Sequence, residues 1–334
     1  MRISVIIPNF NGRQFLGACL DSLLRQTRPA ERVMVVDNGS SDGSHELAER
    51  HPLRPELIAL HKNLGFAAAV NRGITAADTE AIALLNNDAV CDRRWLEKGL
   101  AAMSRHPRVA SFASLVLQYH DRDLVDSAGD FFPPEGRPAH RGQGEKAASY
   151  EEPALVLSAP AAAAFYRREL FEQVGAFEES FFAYLEDVDL GIRAQCRGRV
   201  CLVVPEAVVY HLGAATALSD RAGKKPVDSS ERVFLIARNR VRVLARSFPR
   251  QWLIRFSPWL ALGFLKSAAY HLGVSRQGAA FLRGLGQGIG GFASDRRFFR
   301  KQAQGGEGNS ASASPGWSFV PVARLIREGE VKCQ

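Results

Sequence analysis

This 334-residue sequence predicts an α/β fold: a mostly parallel sheet with helices on both faces, followed by a helical C-terminal segment. Three observations lead there. Over residues 1–110, short apolar runs alternate with stretches of helical period. Three of those runs end in a polar cluster, namely Pro8-Asn9, Asp37-Asn38 and Asn86-Asn87-Asp88. The charge also reverses along the chain. Residues 1–220 hold 23 Lys+Arg against 29 Asp+Glu, whereas residues 221–301 hold 17 against 3.

The elements follow in order. Ile3-Ser4-Val5-Ile6-Ile7 is a strand, and Gly12 precedes a helix near 13–26 with Phe15, Leu16, Cys19, Leu20, Leu23 and Leu24 on one face. A strand over 32–36 ends in Asp37-Asn38-Gly39, and Ser44 to Arg50 are helical. A short strand at 57–60 precedes the Asn63-Leu64-Gly65 turn and an Ala-rich helix over 66–77. The strand at 81–85 then runs into Asn86-Asn87-Asp88. In open sheets of this kind, ligands bind outside the carboxyl ends of the strands. Asn, Asp, Gly and Pro also serve plain turns for steric reasons. Three such clusters at one edge favour a site.

Residues 119–153 are polar and scattered with Gly and Pro, a loop long enough to be functional or mobile. An apolar run from Ala154 to Tyr166, a helix near 168–175 and a strand at 200–204 follow. A second polar set, Glu186, Asp187, Asp189 and His211, accompanies them. From about Asp228 the pattern is helical. Its most apolar part has a longest charge-free run from Phe256 to Leu265, short of the roughly 20 residues a spanning helix needs. Amphipathic helices lying in a membrane interface fit, with Trp252 and Trp259 at headgroup depth. The alternative is helices packed on the body with the arginines as a solvated face. The Gly- and Ser-rich stretch at 305–316 is a linker before a loose tail. The expected division is therefore a body over 1–220, a basic helical segment over 221–301 and a flexible tail over 302–334.

Composition narrows the class. An apolar fraction of 46% fills a sizeable core. The five cysteines show neither metal-ligand spacing nor a pairing pattern, and the first strand begins almost at Met1, so free thiols in the cytoplasm and no signal peptide are expected. The basic segment calls for a polyanionic partner. The segment allows a nucleic-acid-binding protein, but no recognised binding motif accompanies it, so an anionic membrane surface is the expected partner.

Six stretches in order resemble family 2 glycosyltransferases: "VIIPNFNG" (5–12), "VMVVDNGSSDGS" (33–44), "NLGFAAAVNRGI" (63–74), "LLNNDA" (84–89), "LFEQVGAFEESFFAYLEDVDLGIRA" (170–194) and "YHLG" (210–213). "ARNRVRVL" resembles that family's RN-containing helix, which extends the likeness to about residue 245. The wording is most similar to bacterial rhamnosyltransferase-type members. The resemblance implies a glycosyltransferase A (GT-A) fold and an inverting, metal-dependent transfer. The sugar would come from a nucleotide-diphosphate donor of dTDP-rhamnose or UDP-sugar type. It would pass to a hydroxyl of a lipid-linked or polysaccharide acceptor at the inner face of the cell membrane, in cell-envelope glycan synthesis.

It also implies roles. Asp37 would meet the base or ribose of the nucleotide, since a carboxylate accepts from base N–H or ribose hydroxyls; the alternative is a turn or cap acid. Pro8, Asn9, Asn11, Asn63, Asn71 and Asn87 would line the same pocket. Gly65 permits a tight turn, and the helix after it would offer free N–H groups to phosphate; close packing of Ala67 to Val70 is the plainer account. Asp88 resembles the last acid of the family's Asp-x-Asp signature and would hold Mg²⁺ or Mn²⁺ against the leaving diphosphate. Asn86 stands where that signature has its first acid, so it can coordinate but brings no charge. His211 would be a further metal ligand or phosphate contact, or simply a histidine satisfied at a strand end. Asp187 would be the base that takes the acceptor's proton, with Glu186 beside it raising its pKa; two acids at a helix N-terminus are the bland alternative. Asp189, four residues before Arg193, has a structural role open to it. The 119–153 loop would shape the acceptor site. Two other classes remain. A nucleotidyltransferase calls for a Gly-rich basic loop after the first strand, but "PNFNGRQF" has one Gly and one Arg. An inactive scaffold of the same fold is the second.

Overall fold

β1 (Ile3–Asn9) is buried at all seven positions, because it is covered on both faces. Ile3, Val5 and Ile7 pack with Leu16, Leu20 and Leu23 of α1 (Arg13–Leu24). Ile6 points the other way, among Ala67, Val70 and Ile74 of α3 (Phe66–Ala76). The small residues of α3 have a steric purpose: a Cβ on Gly73 would come within 2.4 Å of Ile6. β2 (Arg32–Asp37) and β4 (Ala81–Leu85) flank β1, and β3 (Glu56–Ala59) adjoins β2, all parallel. α2 (Ser44–Arg50) joins the α1 side through Ala48.

The computed structural model describes residues 1–213, 229–248 and 250–304. Of these, 1–131 and 140–213 form one compact unit; 132–139 and the described residues from 229 onward form a second. In the first unit, β4 leads through Asn86-Asn87-Asp88 to β5 (Ala89–Cys91), α4 (Trp95–Arg105) and β6 (Ser111–Gln118). β7 (Val125–Ser127), β8 (Asp130–Phe131), β9 (Ala139–His140) and β10 (Leu155–Val156) are short. β11 (Ala163–Arg167), α5 (Arg168–Val174), α6 (Glu186–Cys196) and β12 (Cys201–His211) complete it.

The main sheet runs β10-β12-β6-β11-β4-β1-β2-β3, with β5 on β12 and β7 on β6. It agrees with the expected α/β sheet in its long parallel pairings, β12 on β6 among them, and adds antiparallel strands. β1 to β4 are parallel, but β11 lies antiparallel between β4 and β6. β6 ends and β11 begins at the edge where β1, β2 and β4 end, so the excursion over 119–162 leaves from and returns to that edge. The excursion is also less bare than expected. Ala128 N donates to Arg141 O at 2.9 Å and Arg141 N to Gly129 O at 2.8 Å, closing a β8-β9 ribbon. The apolar run over 154–166 is broken into β10 and β11. The strand expected at 200–204 runs on to His211 as β12, whose register on β6 shifts between Val204 and Val208. Pro205, which lacks an N–H, sits in that shift.

In the second unit, α7 (Ser230–Ser247) is capped by Ser229, whose side chain accepts from Arg232 N at 3.2 Å. Val233 and Ala237 pack on Ala280 and Phe281 of α10 (Gly278–Gln304). Gly284 and Gly288 let the two helices approach, since a Cβ at either would press on the Phe234 or Arg238 carbonyl, at 2.2 and 2.8 Å. Asp295 receives Arg242 and Arg246. α8 (Arg250–Arg255) and α9 (Ser257–Ala269) lie between. Trp252, expected at headgroup depth, instead stacks among Phe248, Phe256 and Phe132, with centroids 4.3, 4.5 and 6.5 Å away. Trp259 is exposed, as are Ile254, Leu265, Leu272 and Val274. Among the described residues no helix is long and apolar enough to cross a membrane. α10 runs on to Gln304, and the expected linker and tail beyond it lie outside the described residues.

Candidate active site

The predicted edge is real in the sense that its clusters meet. β1 and β2 are in register so that Asn9 pairs with Asp37. Asn9 is 2% exposed, and its Nδ2 donates to Asp37 Oδ1 at 2.9 Å and Ser44 Oγ at 2.9 Å, while its Oδ1 accepts from Asn87 Nδ2 at 2.8 Å. Asp37 Oδ2 accepts from Ser40 N at 3.1 Å. Asn9 thus holds the Asp37 carboxylate and is itself held by Asn87; both amides are buried. Pro8 lies within β1, paired with Val36. Asn11 has φ 48° and is exposed, with Oδ1 accepting from Ser41 N at 2.9 Å.

Asn63, Gly65 and Asn71 form a second frame. Asn38 Nδ2 donates to Asn63 Oδ1 and to the Gly65 carbonyl, both at 3.0 Å, and Asn63 Oδ1 also accepts from Gly65 N at 2.9 Å. Asn71 clamps a distant backbone: its Nδ2 donates to Phe177 O at 2.8 Å and its Oδ1 accepts from Phe177 N at 3.0 Å. One N–H of the α3 N-terminus expected to face phosphate is already taken. Ala67 N donates to Phe182 O at 3.2 Å. Phe182 is the centre of a γ-turn, with φ 66°, ψ −65° and Ala183 N donating to Phe181 O at 2.8 Å. Tyr184 and Leu185 also have positive φ, so the chain enters α6 through a strained run.

At the other end of the edge stand Asp88 and His211. His211 closes β12, opposite Ala89 of β5, and its Nε2 lies 3.2 Å from Asp88 Oδ1. Its Nδ1 lies 2.8 Å from Asp126 Oδ2 on β7. Burial pulls the imidazole's pKa down, but Asp126 and Asp88 outweigh it and push it up to about 10. Burial likewise raises Asp126, yet His211 holds it below the usual carboxylate range. Asn86 Oδ1 is buried with no hydrogen-bond partner. Among the described residues no group of three His, Cys, Asp or Glu side chains is placed to hold a metal ion. Carboxylate and amide oxygens are donors a divalent cation takes, whereas His211 could ligate one only after giving up the proton its two aspartates favour.

The acid pair opens α6. Glu186 is 4% exposed, its Oε2 has no partner, and burial, then Asp187, pushes its pKa well up. Asp187 is partly exposed and is raised to about 6 by burial and by Asp130, against hydrogen bonds from Ala161 N at 3.1 Å and Val188 N at 2.8 Å. Asp189 is the structural acid: it pairs with buried Arg193 at 2.8 Å, and Arg193 also donates to the carbonyls of Val174, Gly175 and Ala176.

Three residues here are not singled out by the sequence: Asp126, Asp130 and His140, all from the polar excursion. Asp130 accepts from Ser158 Oγ at 2.7 Å and lies 2.7 Å from His140 Nδ1. Burial lowers the pKa of His140, but Asp130 and its neighbours lift it to about 9. The only signal for them is the Asp spacing in "DRDLVDSAGD".

A mixed sheet with its acids gathered at one carboxyl edge, covered by helices on both faces, defines the GT-A class of α/β enzymes. The sequence profile of Glycosyl transferase family 2 matches residues 4–175, just over half the chain, and the chain belongs to that family. It is a glycosyltransferase related to cell-envelope glycan enzymes. Over 246 residues it is 29% identical to the N-acetylglucosaminyl-diphospho-decaprenol L-rhamnosyltransferase of Mycobacterium tuberculosis, covering 66% of this chain and 79% of the relative. Two solved structures share the fold. One is GalNAc-T7 with UDP, GalNAc and Mn²⁺, at TM-score 0.65 and 14% identity, covering 98% of this chain but only 57% of that one. The other is Staphylococcus aureus TarS 1-349 in complex with UDP-GlcNAc, at TM-score 0.55 and 18% identity, covering 95% of both.

Proposed function

We propose that this family 2 glycosyltransferase moves a sugar, with inversion, from a nucleotide-diphosphate donor to a hydroxyl of a lipid-linked or polysaccharide acceptor. The dTDP-rhamnose or UDP-sugar type of donor is supported by the relative that is an L-rhamnosyltransferase and by the fold neighbour bound to UDP-GlcNAc. The observation that carries the reading is the convergence at one edge of the Asp37 frame and the Asp88–His211 contact at 3.2 Å. In this scheme Asp37, held by Asn9, accepts from the nucleotide's base or ribose, with Asn87 behind Asn9. Asp88, His211 and Asn86 are the residues that would hold a divalent cation. Mg²⁺ or Mn²⁺ there supplies the positive charge that a departing diphosphate needs.

Asp187 is the base. A carboxyl group raised to about 6 is ionised at neutral pH yet basic enough to take a proton. As the acceptor oxygen bonds to the anomeric carbon, its proton passes to Asp187. The bond from that carbon to the diphosphate oxygen breaks, and its electron pair leaves with the diphosphate. Glu186, buried with an unpartnered oxygen, stays protonated beside it.

The second unit gives the enzyme its place in the cell. Trp259, Leu265, Leu272 and Val274 are exposed apolar side chains in a segment of high positive charge, which suits an anionic membrane surface at the cytoplasmic side. A lipid-linked acceptor would be met there. The test of the whole reading is a donor screen that measures nucleoside diphosphate release with and without Mg²⁺ or Mn²⁺. Release that depends on both an acceptor and the cation supports it. No release from any nucleotide sugar refutes it.

A further inference from the structure

Two aspartates of the excursion at the site edge each hold a histidine by Nδ1. Asp126 holds His211 at 2.8 Å, and Asp130 holds His140 at 2.7 Å. The outer nitrogens differ. Nε2 of His211 meets Asp88, whereas Nε2 of His140 makes no hydrogen bond among the described residues, and the ring is 44% exposed. An imidazole fixed at one nitrogen and open at the other is built to present a donor.

The support beneath His140 is rigid. Asp130 is 3% exposed at its side chain and accepts from Ser158 Oγ at 2.7 Å. Backbone bonds lock the two together, with Asp130 N donating to Ser158 O at 3.1 Å and Leu157 N to Asp130 O at 2.9 Å. Ser158 is pressed against α6, because a Cβ on Gly191 would come within 2.5 Å of it. Three residues on, Ala161 N donates to Asp187 at 3.1 Å. One short segment, 158–161, therefore anchors both the aspartate behind His140 and the candidate base. His140 is also close enough to Asp187 and to Asp126 for each carboxylate to act on its charge.

Resting on the glycosyltransfer reading above, we propose that His140 is an acceptor-binding residue, whose Nε2–H donates to an oxygen of the acceptor while Asp187 receives the acceptor's reacting hydroxyl. The diphosphate end of the site already has its imidazole in His211. His140 serves the acceptor, and Asp130 is the positioning residue that aims it. No bond is made or broken at His140.

The test uses two substitutions in the full-length protein. His140→Asn places an amide where Nδ1 stood, so it keeps the bond to Asp130 and removes the outer nitrogen. His140→Gln does the reverse. The probe is a short-chain prenyl diphosphate bearing N-acetylglucosamine, with the donor found by the screen. UDP with Mn²⁺ reports the nucleotide site separately, and a thermal melt reports the fold. The expected result is an acceptor KM about tenfold higher in His140→Asn, the loss of one charge-assisted hydrogen bond, and a smaller rise in His140→Gln. UDP affinity and melting temperature should hold in both. An unchanged acceptor KM in His140→Asn overturns the proposal, as does a rise matched by an equal loss of UDP affinity. If the wild-type protein shows no acceptor-dependent release, the glycosyltransfer reading fails and takes this inference with it.

Discussion

Asp88 and His211 stand 123 positions apart in sequence and meet at 3.2 Å, with the backbone N–H of Leu212 donating to the Asp88 carbonyl at 3.0 Å beneath them. The side-chain contact is therefore held by main chain. Asp88→Asn should leave the melting temperature within a few degrees. Mn²⁺-dependent affinity for UDP should fall by roughly 10- to 100-fold, read by calorimetry with and without the metal. Equal affinities in wild type and variant would remove Asp88 from the cation site.

Asp187→Asn should abolish transfer and leave UDP binding intact. The working form of a base is the ionised one, and burial raises this carboxyl to about 6. Transfer should thus be flat above that value and decline about tenfold per pH unit below it. A limb near 4 would mean that another group takes the proton.

Glu186→Gln asks whether the neighbour is protonated. Burial and Asp187 keep Glu186 neutral, so an amide of the same shape should cost little stability and move the acid limb by no more than a few tenths of a unit. A large downward shift of the limb would show that Glu186 is charged.

Gly65→Ala tests the strained approach to α6. Gly65 has φ +92°, and an added Cβ would sit 2.6 Å from Phe182. The variant should lose about 1–3 kcal/mol, measured by urea denaturation. The damage should spread to Ala67 and the γ-turn as faster amide exchange.

The membrane proposal is best tested by point changes. Deleting residues 250–334 would also strip Ala280 and Phe281 from Val233 and Ala237 and unmake the helical unit. Trp259→Ser with Leu265→Ser removes two exposed side chains, 52% and 67% accessible, and should weaken binding to anionic vesicles roughly a hundredfold. Unchanged sedimentation with vesicles would place the membrane contact elsewhere.

Much of the fold and of the site edge is legible in the amino-acid sequence alone. The strands β1 to β4 announce themselves because each is a short apolar run closed by turn chemistry. Asp37 and Asp88 lie at the ends of such runs, and His211 follows a later one. What stays hidden depends on side-chain pairing over long separations. Asp126 reaches His211 across 85 residues, and no periodicity marks a carboxylate in a polar stretch. Asn9 and Asn71 stand out in the sequence, but their amides turn inward to other parts of the chain, a distinction that composition cannot make. β11 reads as apolar, yet its direction depends on which edge the excursion returns to, and only the fold supplies that.

β12 has a consequence for how the protein is made. Among the described residues it is the last strand of its unit to leave the ribosome, yet it lies between β10 and β6 and brings His211 to Asp88 and Asp126. Until residue 211 emerges, one edge of β6 has no partner from β12, and two acids converge without the imidazole that joins them. The nascent chain must wait with an unpaired strand edge, which is when aggregation is easiest. Synthesis stalled before Cys201 should yield a chain that chaperones hold and proteases clear.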